Sequence, residues 1–305
     1  MTTFEIIDLI KSKINDIKVS IINKGVNVPT NSKLEDIPTL INSIEAGGGG
    51  SEDWKIDCAS YFFGETAGNK DNKENFNNII KHIYKPTNLT YFCENKSVTT
   101  GWLTKEIMDK IINLDLSECT NLSYGFTFNG NILDGNFNFN LDKCTNLSYC
   151  FRGLTKGQVQ LNSDEGIILN FNGSTGNVTN AAYAFVGYTT SSYSKGSKIR
   201  EIKNLNLDKV TSCNYIVGYN ENLRRFTFDG SFGGKSTTAT LTLDFTYGMN
   251  GDCVLEHDSI VEMFNSVSLN TNGKTRIFKL SQSVYESLSE DELAIATSKG
   301  YTVSY

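Results

Sequence analysis

Apolar positions recur along this chain with three different periods, and each period predicts a different kind of structure. Between residues 3 and 22, Ile7, Ile10, Ile14, Ile17 and Ile21 fall at steps of three, four, three and four, which lines one face of a helix with β-branched side chains. That spacing fits a short heptad seam between chains and equally a helix packed on its own domain, since fewer than three heptads are present. A second helix is expected next. Either Ser32 and Glu35 form a capping box, with Leu34, Ile37, Ile41 and Ile44 sharing a face, or Asp36 is the N-cap and Pro38 falls in the first turn. The run Gly47-Gly48-Gly49-Gly50-Ser51 cannot be held in one conformation cheaply and predicts a flexible linker.

Downstream of the linker the period lengthens to that of an internal repeat. Thr120-Asn121-Leu122-Ser123-Tyr124-Gly125-Phe126 and Thr145-Asn146-Leu147-Ser148-Tyr149-Cys150-Phe151 are near copies, and Thr87-Asn88-Leu89-Thr90-Tyr91-Phe92-Cys93 matches them in phase. Thr179 to Phe185 and Thr211 to Val217 are weaker copies, so the tyrosines step by 33, 25, 34 and 32 residues. Tyr61 and Tyr247 extend the series less clearly. Just upstream of the heptapeptide lies a period-two pattern, L-x-L-x-x-C, at Leu114-Asp115-Leu116-Ser117-Glu118-Cys119, echoed at residues 139–144 and 205–210 and in part at Leu169-Asn170-Phe171. Alternation of this kind predicts a half-buried strand. Repeats of this length that cannot bury their own apolar face are expected to stack on one another around a continuous core. Cys119 and Cys144 then serve as small buried hydrophobes, and Tyr124/Phe126, Tyr149/Phe151 and Tyr183/Phe185 as an aromatic column packed in the core. Near the end, Ile277-Phe278-Lys279-Leu280 predicts a strand, Ser289 and Glu292 a capping box, and Gly300 a helix stop.

Charge and composition narrow the partners. A net charge of -6 argues against nucleic acid, whose phosphates demand a basic face, and the nearest basic cluster is Arg224-Arg225. No segment has the length of unbroken apolar sequence needed to insert in a membrane. The opening Met1-Thr2-Thr3-Phe4-Glu5 has no basic start and no apolar run, which predicts folding in the cytoplasm. The seven cysteines are accordingly expected as free thiols. The sequons at Asn88, Asn121 and Asn146 are then by-products of the repeat.

The motif L-D-L-S-x-C-T-N-L-S-Y-x-F at residues 114–126 resembles the irregular BspA-like leucine-rich repeats of bacterial surface and phage proteins, over roughly residues 85 to 270. Residues 257–265 and 288–301 look like the close of such proteins in phages of Gram-positive hosts, and residues 23–29 with the glycine run resemble their N-termini. The resemblance implies a mixed α/β fold: an irregular leucine-rich-repeat-like solenoid over 53–270, a helical attachment and oligomerisation segment over 1–45, a linker over 46–52, and a strand-helix-strand cap over 271–305. It further implies a structural, non-enzymatic protein of a virion tail, made in the host cytoplasm. The N-terminus would meet other tail or baseplate proteins, and the repeats a host surface protein or glycan. A homo-oligomer is expected, with three chains joined through the isoleucine seam.

Candidate binding residues are Tyr188 and Tyr193, in the insertion from Gly187 to Lys198, together with Arg224 and Arg225. Such connecting segments vary without disturbing a core. No catalytic residue, metal ligand or cofactor is expected. His82 and His257 lie 175 residues apart without zinc-site spacing. The acid pairs Asp164-Glu165 and Glu290-Asp291 would be needed for a polysaccharide depolymerase, but adjacent acids point in different directions. A bacterial adhesin of the same repeat type is the other alternative.

Overall fold

The computed structural model describes residues 83, 85–93, 111, 113–127, 135–152, 166–187, 197–220, 222–246 and 255–305. The chain separates into two compact units, Met1–Ile56 and Asp57–Tyr305, and every described residue lies in the second. The isoleucine seam, the second helix, the glycine linker, Tyr61, His82, Asp164-Glu165, Tyr188, Tyr193 and Tyr247 fall outside the described residues.

The heptapeptides lie side by side because their main chains hydrogen-bond to one another. Parallel bridges join Asn88 to Asn121, Asn121 to Asn146, Asn146 to Asn180 and Asn180 to Ser212. The amide of each threonine from Thr120 to Thr211 donates to the carbonyl of the equivalent threonine one repeat earlier, at 2.8–2.9 Å. Each hydroxyl donates to that same carbonyl at 3.0–3.1 Å, and Thr238 continues the column onto Thr211. Inside this column Leu89, Leu122, Leu147 and Ala181 are fully buried.

The turn into the second to fifth heptapeptides is also shared. The amides of Cys119, Cys144, Val178 and Val210 donate to the carbonyls three residues earlier, at 2.8–3.2 Å, and all four side chains are buried. Valine therefore fills the cysteine position where the later repeats have lost it. Burial pushes the Cys144 thiol up to about 12 and that of Cys150 well above its ordinary value, so these sulfurs stay protonated. They act as core atoms.

Among the described residues the strands form two open parallel sheets, and neither closes into a barrel. The first has the order β1 (Gly135–Asn138), β2 (Ile167–Asn170), β3 (Ile199–Leu207), β4 (Arg225–Phe232); the second has β5 (Thr240–Asp244), β6 (Thr275–Lys279), β7 (Thr302–Ser304). With the three helices among the described residues this is a mixed α/β architecture. The period-two pattern was expected to be the strand itself, and that is corrected for two of the copies. Leu114, Leu116, Phe139 and Leu141 are buried, yet they lie outside the strands, and only β3 runs through its Leu205 and Leu207. At Leu141 the neighbouring repeat supplies a turn over residues 172–176, where the Ser174 hydroxyl accepts from the Leu141 amide at 2.9 Å, so a side chain stands in for the main-chain ladder; the Thr175 hydroxyl accepts likewise from the Asn206 amide of β3 at 2.8 Å.

Between these layers Phe126, Phe151 and Phe185 stack at 5.6 Å steps, and Phe139 and Phe171 form a second column beside them. The C-terminal residues close the core with a second cluster. Phe278 of β6 meets Phe228, Phe232, Phe264 and Tyr301 at 4.9–6.1 Å. Helix α1 (His257–Ser266) packs on β4 and on α3 (Glu290–Ser298), and α2 (Gln282–Ser287) precedes α3. The expected capping box is present, with Ser289 accepting from the Glu292 amide and the Glu292 carboxylate accepting from the Ser289 amide. Glu290 and Asp291 fall in the first turn of α3, where acids suit the helix dipole. Gly300, at φ 82, follows the end of the helix.

Three cations hold this region together through carbonyls. Arg276 is fully buried and donates to the carbonyls of Gly233, Thr238 and Thr275 at 2.8–3.2 Å. Lys274 reaches the Thr237 carbonyl at 2.5 Å. Lys299 donates to the carbonyls of Phe264, Asn265 and Val267, each at 2.8 Å, satisfying groups that the end of α1 leaves without helical partners.

His257 ties the start of α1 to the capping box of α3, with Nδ1 3.0 Å from Asp258 and Nε2 3.3 Å from Glu292. Those hydrogen bonds, Asp258 first, raise the pKa of His257, while the Ser289 amide and hydroxyl, with His257, lower that of Glu292. The histidine contribution is complete below its unfolded pKa of about 6.5 and is lost as pH rises through the folded value. The glutamate contribution is present above about 4.3 and is lost as pH falls through its folded value. The thermal midpoint is therefore expected to be higher at about pH 5.5 than at about pH 8. His257→Gln should reduce that difference, and an unaltered pH profile in the variant would refute the contact.

Candidate functional site: a tyrosine ladder

The most regular surface feature is built by one turn used five times. In the first four repeats the asparagine side chain accepts from the amide two residues on, at 3.0–3.1 Å. This commits the amide oxygens of Asn88, Asn121 and Asn146, the asparagines of the repeat sequons, to local turns. A reverse turn follows, closed by the amides of Phe92, Gly125, Cys150, Ala184 and Ile216 donating to the carbonyls of Leu89, Leu122, Leu147, Ala181 and Cys213. Its third residue is a tyrosine in every copy, with φ of 60, 56, 56, 58 and 53 at Tyr91, Tyr124, Tyr149, Tyr183 and Tyr215. Glycine or asparagine is the usual occupant of such a position. A bulky side chain there carries strain of roughly 1–2 kcal/mol.

That strain is offset by stacking. The rings of Tyr91, Tyr124, Tyr149, Tyr183 and Tyr215 follow one another at 4.8, 4.6, 4.6 and 5.1 Å. The two central pairs lie within 8° of parallel. Each such contact contributes about 0.5–1.5 kcal/mol. The tyrosine amides lock the register by donating to the next repeat at 2.9–3.1 Å from Tyr91, Tyr124, Tyr149 and Tyr183. The Arg152 guanidinium lies 5.5 Å above the Tyr149 ring.

The expectation that these tyrosines belong to the core, like the phenylalanines two residues on, is corrected here. Phe126, Phe151 and Phe185 are buried, whereas all five tyrosines are half-exposed. A left-handed residue swings its side chain out of the plane that its neighbours share, and the rings cover each other's faces. Phenylalanine would stack equally well. The hydroxyl is what tyrosine adds.

The other sequence candidates sit apart from the ladder. Arg225, on β4, donates to both carboxylate oxygens of Glu262 on α1, one at 2.7 Å, and these bonds raise its pKa. It joins helix to sheet. Arg224 is exposed, and its carbonyl accepts from the Ser259 hydroxyl. A small cavity of about 210 Å³ is lined by Asp208, Ser231, Lys235, Ser268, Leu269 and Thr271 among others. Its charged groups face each other: burial raises the Asp208 pKa, but hydrogen bonds from Lys235 and Ser231 outweigh that and hold it low. Among the described residues no cluster of His, Cys, Asp or Glu is placed to hold a metal ion, and no helix is long and apolar enough to cross a membrane.

No protein-family model matches the sequence, and no curated protein or solved structure was found to be similar to it. The ladder geometry therefore stands on its own.

Tyr149→Phe should leave the midpoint of urea unfolding within about 0.5 kcal/mol of the parent, because stack and turn survive. Tyr149→Gly relieves roughly 1–2 kcal/mol of backbone strain but gives up two ring contacts, about 1–3 kcal/mol together, and should destabilise by up to about 1 kcal/mol. A glycine variant more stable than the parent would show that the strain outweighs the stacking.

Proposed function

We propose that this chain is a non-enzymatic binding protein of a phage tail. Its repeats wind as an irregular leucine-rich-repeat-like solenoid that recognises a host surface receptor, and residues 1–45 attach it to the particle. The observation that carries the reading is the stacked tyrosine ladder: five strained, half-exposed aromatic rungs on a rigid frame. Strained backbone persists where the surroundings over-determine it, and such residues cluster at ligand sites. The other recurring groups are occupied as scaffold, with the leucines and cysteines buried and the asparagines and threonines spent on turns and inter-repeat bonds. That pattern supports recognition rather than reaction. The resemblance of residues 114–126 to repeats of phage and bacterial surface proteins supports the tail assignment.

Two measurements test this reading. Gold-labelled antibody against the chain should decorate the tails of intact particles, and purified chain should block their adsorption to host cells; particles without label would overturn the assignment. In light scattering the parent should run at a multiple of 33.8 kDa, three chains being expected, and Ile10→Asp with Ile14→Asp should reduce it to one chain. An unchanged mass would remove the seam from the account.

A further inference from the structure

We propose that the cavity beside Asp208 and Lys235 is a sugar-binding site, taking one uncharged pyranose ring through two neighbouring hydroxyls. The proposal rests on the receptor-binding reading above for the source of the ligand, a cell-surface glycan, while the chemistry is set by the cavity itself.

The cavity is small. Its volume of about 210 Å³ lies below the range of about 300–1,000 Å³ usual for drug-sized ligands, which suits a unit of one ring. Asp208 forms its charged wall. Oδ1 accepts from the Ser231 amide at 2.9 Å and from the Ser231 hydroxyl, which itself accepts from the Gly234 amide. Oδ2 accepts from Lys235 at 2.6 Å. Burial raises the Asp208 pKa, but the hydrogen bonds from Lys235 and Ser231 hold it low, so the group is a carboxylate at neutral pH.

The hydrogen-bonding capacity that remains defines the ligand. A carboxylate has about four acceptor sites, and an ammonium has more donors than one hydrogen bond uses. Three hydrogen bonds reach Asp208 and one of them comes from Lys235, so Oδ2 keeps an acceptor site beside the remaining donors of Nζ. Hydroxyls on adjacent ring carbons meet that pair without breaking it, one donating to Oδ2 and the other accepting from Nζ. An ammonium ligand would have to displace Lys235, and an anion would face the Asp208 carboxylate. The Lys235 side chain is 69% exposed, which leaves Nζ room to follow the ligand.

The mouth of the cavity adds an apolar contact. Ser268, Leu269 and Thr271 line it and are exposed. Two of them carry hydroxyls, and Leu269, 56% exposed, offers a surface for the C–H face of a ring. This segment is fixed before binding. The Ser268 amide donates to the Gly230 carbonyl, the Tyr301 hydroxyl to the Ser268 carbonyl and the Asn270 amide to the Lys299 carbonyl, each at 2.8 Å. Preorganisation of this kind lowers the entropy cost of binding.

The test is saturation-transfer NMR titration of the full chain with the methyl glycosides of glucose, galactose, mannose and N-acetylglucosamine, with glycine and glucuronic acid as charged comparisons. At least one neutral glycoside should bind, and its deoxy analogue lacking one of two adjacent hydroxyls should bind about tenfold more weakly. Lys235→Met and Leu269→Ser should each weaken binding about fivefold. Leu269 is exposed, so its variant keeps the fold even where Lys235→Met does not. The proposal is overturned if no neutral glycoside binds, if glycine or glucuronic acid binds in its place, or if both variants bind sugar as the parent does.

Adhesion to host cells separates this failure from failure of the broader reading. Parent and Leu269→Ser binding cells equally, with protease treatment of the cells removing both, would overturn the sugar site while receptor recognition stands. A parent chain that binds no cells would sink the receptor reading, and the NMR titration would still judge the cavity.

Discussion

The main-chain hydrogen bonds between neighbouring repeats are the constraint on which everything else in the described structure depends. Thr, Leu and Tyr amides in one heptapeptide meet carbonyls of an adjacent heptapeptide, in fixed phase, across five repeats. A buried amide or carbonyl without a partner is costly, so each repeat must present the same groups at the same heights. Once the heights are set, the rest follows. Leucines meet leucines inside, phenylalanines stack in columns, threonine hydroxyls reinforce the carbonyls they face, and tyrosines are brought close enough for ring contact. The repeats differ in length, with tyrosines 33, 25, 34 and 32 residues apart, because the constraint acts on the rungs and not on the chain between them.

Much of this was legible from residue types alone. The heptapeptide is a string of positions with distinct jobs, and its recurrence marked the buried leucines and the turn cysteines. The capping box at Ser289 and Glu292, a strand through Ile277, Phe278 and Lys279 and the stop at Gly300 were readable because each is a local rule satisfied by nearby residues. What escaped the sequence depends on partners far away in the chain. Tyrosine has no intrinsic preference for left-handed backbone, so nothing in its identity announced that the rings would leave the core; the signal lay in its place as third residue of a turn that begins after an asparagine. The pattern L-x-L read as strand because alternation does not reveal whether the neighbour offers a main chain or, as at Ser174 and Thr175, a hydroxyl. Nothing local to Arg276 announces its burial, and only the carbonyls around residues 233–239 explain it.

The C-terminal region solves a problem that the repeats create. The last turns of a stack carry carbonyls with no following repeat to meet them. Here Arg276, Lys274 and Lys299 meet several such groups with long, many-donor side chains, and Phe278 gathers aromatic rings from β4, α1 and the chain end into one cluster. A cation surrounded by carbonyls rather than paired with a carboxylate keeps its charge neutralised by dipoles, which suits a site where several backbone oxygens converge. Arg225 and Glu262 add an ion pair that fixes α1 on β4, and its half-exposed setting makes it a fastener of modest strength.

Parallel pairing also gives the structure a direction. Every rung presents one set of groups towards the preceding repeat and the complementary set towards the next, so the two ends of such an array are mates and not equals. Contacts of that head-to-tail kind do not close on themselves; repeated between molecules, they run on as a filament. The outermost strand of the second sheet, β7, is only three residues long, and so brief an edge offers an incoming chain little to continue. The modest closing strand thereby works as insulation, keeping a shape suited to endless growth finite.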